Sequence, residues 1–142
     1  MVGRKNEIAE EILRECQGRE LAPHYLAYFE LFNRQLFFEA HEVLEKIWLP
    51  QRGKSNGDFY KGLIQFAGAF VHLQKNRLRP AAALLRLARA NMARYPGIHE
   101  SLDVEIVLET IQSWLGKLQA AKFTTNPLTG ADRPKLTLSG SP

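Results

Sequence analysis

A chain of 142 residues, 45% hydrophobic and 24% charged with a net charge of +4, has the size and balance of one ordinary soluble globular domain. Its most apolar run, Gly62 to Leu73, falls well short of the ~20 residues a membrane-spanning helix needs and contains Gln65 and His72. The single cysteine, Cys16, excludes an internal disulfide framework and a cysteine-based zinc site. No apolar leader pattern stands near the N-terminus, so a cytoplasmic protein with no membrane partner is the simplest expectation.

Helical segments follow one another along the chain. Ile8, Ile12 and Leu13 recur at helical spacing within Val2 to Cys16, and Gly18 follows as a stop. Pro23 sits at a permitted first-turn position for a helix to Phe32, buried through Tyr25, Leu26, Phe29 and Phe32, with Asn33 able to end it. A third helix runs from Phe37 to Leu49, where Pro50 is expected to stop it. The glycine-containing loop Gln51 to Asp58 leads, with Asp58 as N-cap, into a long apolar helix from Phe59 to Lys75. Asn76 to Arg79 turns the chain, and Pro80 opens an Ala- and Leu-rich helix to Tyr95 that Pro96-Gly97 terminates. These last two helices form a hairpin of roughly tetratricopeptide size without that repeat's residue pattern. After it, Leu102 to Leu118 forms a final amphipathic helix capped by Ser101. Thr124 to Pro142 is rich in Thr, Pro, Gly and Ser and is expected to be irregular, docked through Leu136 and Leu138.

That pattern contains no clear strand, so the expected fold class is all-α, a compact bundle of about five helices. Residues 1–123 would form one helical domain and residues 124–142 an irregular tail.

The third helix carries the unusual composition. At 100° per residue, Phe37, Ala40, Val43, Leu44, Ile47 and Trp48 make a broad apolar arc, with Glu39, Glu42 and Lys46 opposite. Trp48 lies near the middle of that arc and should behave as a core aromatic. His41 and Glu45, one turn apart, fall between the main arc and a second small apolar arc made by Phe38 and Leu49. The next helix carries a matching polar stripe of Lys61, Gln65, Gly68 and His72. Polar groups wedged among aromatics are costly to bury without partners. A shared network of His41, Glu45, Gln65 and His72 between the two helices is therefore expected.

The run Phe32-Asn33, then Phe38-Glu39-Ala40-His41-Glu42-Val43-Leu44-Glu45 and Trp48, then Phe59-Tyr60-Lys61-Gly62-Leu63-Ile64-Gln65, Ala69 and His72, resembles domain-of-unknown-function family 309. The resemblance covers roughly Tyr28 to Tyr95. It implies a small all-helical cytoplasmic protein of bacteria or archaea, and it implies no activity. Members often carry a glycine shortly after the Phe-Asn pair, where this chain has Arg34 and Gln35.

Two chemistries compete with a plain interaction module. His41-Glu42-x-x-Glu45 is similar to the His-Glu-x-x-His helix of zinc proteases, and His72 could complete a His/Glu/His ligand set with Glu42 as base. A hydrogen-bonded His41–Glu45 pair is preferred, so no metal is assigned and a cofactor is left unspecified. The second rival is an anion-binding face made by Arg79, Arg86 and Arg89. No Asp or Glu occurs from Phe59 to His99, an interval holding seven Lys and Arg residues. Without interleaved aromatics or a recognition helix, a solvated face is favoured over a nucleic-acid partner. The same charge asymmetry suits one helix held against another, or one subunit against its twin, so a homo-oligomer is the partner left open.

Overall fold

The computed structural model describes residues 2–19 and 21–139, and among them six helices form. They are α1 (Val2–Glu15), α2 (Pro23–Asn33), α3 (Phe37–Gln51), α4 (Gly57–Gln74), α5 (Leu78–Met92) and α6 (Val104–Ala120). Between α5 and α6 stands a two-stranded antiparallel hairpin, β1 (Ile98–His99) with β2 (Leu102–Asp103). The protein is thus mostly helical, as its periodicity indicates, with six helices where a bundle of about five is expected, and with a small hairpin that no strand pattern announced. Glu100 and Ser101 turn the hairpin at φ 48° and 60°, without the Asn-Gly or Gly-containing pair that marks such turns in a sequence.

Several boundaries differ from the periodicity reading, each for a local reason. Pro50 lies inside the last turn of α3, which runs on to Gln51. A proline there forfeits one backbone hydrogen bond, and the carbonyl of Leu49 still receives the amide of Arg52. The cap of α4 is Asn56, and Asp58 sits in the first turn, where its carboxylate pairs with Arg94. Helix α5 starts at Leu78, two residues before Pro80, because proline fits anywhere in a first turn. Ser101 belongs to the hairpin, and Asp103 caps α6 by accepting the amide of Glu105 at 3.1 Å.

The core is aromatic. Tyr28, Phe32, Phe37, Phe59, Phe66 and Phe70 are fully buried, and Trp114 of α6 is 3% exposed. Phe32 stacks on Phe66 with ring centroids 5.2 Å apart, and Phe70 meets Trp114 edge-to-face at 5.1 Å. Such pairs add about 0.5–1.5 kcal/mol each beyond the area they bury. Helix α4 carries three of these rings, Phe59, Phe66 and Phe70, and lies between α3 and α5. Its approach to α5 is close at Gly62, where a Cβ would stand 2.8 Å from the Met92 sulfur.

Beyond α6 the chain is irregular as far as Ser139, and residues 140–142 of the expected tail lie outside the described residues. Side chains hold it down. Asn126 donates to the carbonyl of Leu73 at 2.6 Å. The Asn33 amide clasps the backbone of Leu136, donating to its carbonyl at 2.7 Å and accepting its amide at 2.8 Å. Leu136 is buried, and Leu138 packs on the core while bridging to Leu102.

Candidate functional site

The outer face of α3 is built by its two unequal arcs. Phe37, Ala40, Val43 and Leu44 are buried, which leaves the small arc of Phe38 and Leu49 facing water, 51% and 53% exposed. These two lie three helical turns apart on one line of the helix. Glu42 and Glu45 stand between them, the first exposed and the second half-exposed. Glu39 departs from the expected polar arc, being only 8% exposed. The reason is α1, whose Asn6, Ala9, Glu10 and Leu13 lie along that side of α3. Trp48 also departs from expectation. It is half-buried at the edge of the core, with the Arg52 guanidinium 5.7 Å from its ring centre.

His41 and Glu45 form a pair at 3.7 Å, with side chains 29% and 42% exposed, at the edge of the face and not within the core. The His41 ring lies nearly parallel to that of Phe38, 6.1 Å away, so the pair sits against the apolar strip. The Nδ1 atoms of His41 and His72 are both buried without a hydrogen-bond partner.

Of the stripe on α4, Gln65 and Gly68 meet α5, while Lys61 is exposed. Gln65 accepts a hydrogen bond from Asn91 at 2.7 Å, and a Cβ at Gly68 would stand 3.2 Å from Leu84. Among the described residues no hydrogen bond joins His41 or Glu45 to Gln65 or His72. The expected shared network is two separate arrangements, because periodicity shows that a stripe must be covered but not which neighbour covers it. Nor do three His, Cys, Asp or Glu side chains converge in a metal-holding arrangement among the described residues, so His41, Glu45 and His72 do not assemble the ligand set considered above. The ordinary value of 6.5 for His72 is lowered, first by burial and then by the charges of Arg77 and Lys75.

The basic residues of α5 and of the turn after it disperse. Arg79 lies over the Phe123 ring at 4.6 Å, and Arg89 donates to Gln112 of α6 at 3.0 Å. Arg94 pairs with Asp58. Arg86 is exposed. Two of the three candidate anion-binding arginines thus face α6 and the segment after it.

One polar cluster went unnoticed in the sequence. Asn56 donates to Glu100 Oε1 at 2.9 Å, and its Oδ1 lies 2.8 Å from His99 Nε2. With the Asn56 oxygen accepting, His99 donates through Nε2. The Tyr25 hydroxyl donates to the Glu100 carbonyl at 2.7 Å. Burial first, and then the Glu100 carboxylate, push the Tyr25 and Tyr60 phenols above their ordinary value. They stay protonated, and the cluster binds the hairpin to α2 and to the start of α4. Its members are 43 to 75 positions apart, a separation that no local motif reveals.

Among the described residues no helix is long and apolar enough to cross a membrane. Residues 25–84 match the family model described as Domain of unknown function (DUF309). Neither a curated protein nor a solved structure matches the chain.

Proposed function

Residues 25–84 carry the domain described as Domain of unknown function (DUF309), and from that premise we propose that the chain is a protein-interaction module whose docking surface is the outer face of α3. The observation that supports this is the pair Phe38 and Leu49, each about half exposed on one line of the helix and both within the matched segment. Single exposed apolar residues are ordinary on any surface. Two on one line, with half-buried Trp48 beside them, make a strip that a partner would shield from water. Apolar anchors spaced by whole turns are how a helix engages a groove. His41, Glu42 and Glu45 would then set register and orientation, the usual part of charges around an apolar contact.

A photo-crosslinking side chain installed in place of Leu49, in cells producing the full chain, tests this. A discrete crosslinked product is expected from Leu49 and none from the same group at exposed Ala90. Phe38→Asp should abolish the product without unfolding the chain, since Phe38 lies outside the core. No product from Leu49 would refute the docking surface.

A further inference from the structure

Resting on that reading, we infer that the partner is a second copy of this chain, docked so that α3 of each copy lies over α4 of the other. The charges of the face are the first ground. The ridge of α3 presents Glu42 and Glu45, whereas the adjoining outer ridge of α4 presents Lys61 and Lys75, both exposed. Among the described residues, Glu42, Lys61 and Lys75 have no ion-pair partner in their own chain. An acidic, partly apolar strip beside a basic strip is its own complement under a two-fold axis running along the groove between them.

Register is the second ground. Phe38 and Val71 line one cavity of about 370 Å³, which fixes the level at which the antiparallel helices α3 and α4 meet. Seven residues along each helix, at ~1.5 Å per residue, Glu45 comes level with Ile64, one turn from Lys61. A two-fold axis parallel to the helices keeps these levels. Glu45 of each copy therefore comes within reach of Lys61 of the other, and Phe38 comes level with Val71.

Shape is the third ground. Gly68 stands midway between Lys61 and Lys75 on the outer ridge of α4, and Leu84 of α5 closes its far side. The missing side chain leaves the ridge lowest where the facing α3 would lie.

Sedimentation velocity of the full chain over a range of concentrations tests the inference. A reversible dimer is expected. Glu45→Lys and Lys61→Glu should each raise its dissociation constant on the order of tenfold or more, since each dimer contains the pair twice. Mixing the two variants in equal amounts should restore association, because each reversed charge then meets a reversed partner. Restoration also shows that both variants are folded. A monomer at every concentration, a dimer indifferent to both substitutions, or a mixture that stays monomeric would overturn the inference. If the monomer still crosslinks through Leu49 to a chain of another mass, the second copy is wrong and the docking surface stands. If the monomer gives no crosslink, both fall.

Discussion

Asn91 of α5 donates a 2.7 Å hydrogen bond to Gln65 of α4, and this bond gives the polar stripe of α4 its partner. Both side chains are half-buried, so losing one strands the other in a partly dry interface. Gln65→Ala and Asn91→Ala should each cost about 1–2 kcal/mol, and the double variant should cost less than their sum by at least ~0.5 kcal/mol. Chemical denaturation of the four proteins measures this. Gln65→Ala combined with His41→Ala should be additive, since those two side chains have separate partners.

Acid should weaken the fold partly through His72. Its folded value lies below the ordinary 6.5, owing to burial and then to Arg77 and Lys75. Above 6.5 the imidazole is neutral in both states and contributes nothing to the pH dependence. As pH falls below 6.5, the unfolded chain takes up the proton first, so stability declines until the folded value is passed. His24 is lowered in the same sense, by burial and then by Lys46. Unfolding free energies between pH 8 and pH 5 should therefore decline, and His72→Gln should flatten part of the slope. An unchanged slope in that variant would show that His72 is not a contributor.

Gln35 occupies the turn between α2 and α3 at φ 63°, a conformation that costs a residue with a Cβ on the order of 1 kcal/mol. Gln35→Gly should stabilise the protein by up to about 1 kcal/mol, the gain being reduced by the greater freedom glycine has in the unfolded chain. The Gln35 carbonyl, which accepts from Gln74, is kept in the variant. Thermal denaturation of the two proteins settles the sign.

The two tryptophans should respond unequally. Trp114 is 3% exposed against Phe70, so Trp114→Ala should cost about 3–5 kcal/mol. Trp48 is half-buried, and its truncation should cost roughly half as much. Equal losses would mean that Trp48 is shielded by a partner in solution.

The contrast between these tryptophans marks how far periodicity reads. It located both apolar arcs of α3 and the buried side of α4, because a 100° step decides which residues share a line. Stepped at 100° per residue, Trp48 closes one end of the main arc and does not lie near its middle as expected. Glu39 closes one end of the polar arc. At such edges a neighbouring helix decides burial. For Glu39 that neighbour is α1. Whether α1 would lie there cannot be read from α3. Ser101 and Asp103 both cap well by residue type, and the hairpin that claims Ser101 and leaves the cap to Asp103 has no marker in its own residues. Apart from the local His41–Glu45 pair, the polar sites depended on distant partners, and side-chain amides such as Asn33 and Asn56 have no pattern that names one.

The clasp between Asn33 and Leu136 bears on how the molecule can be divided. The family model matches residues 25–84, but that segment leaves many of its bonds outside itself. Cut free, it would lose Leu136 from Asn33, His99 and Glu100 from Asn56, Asn91 from Gln65, and Asn126 from the end of α4. During synthesis the last of these bonds waits until Leu136 has been made. Until then the nascent chain exposes a half-built interior. The stretch that the family model matches is therefore shorter than the stretch that these bonds tie together.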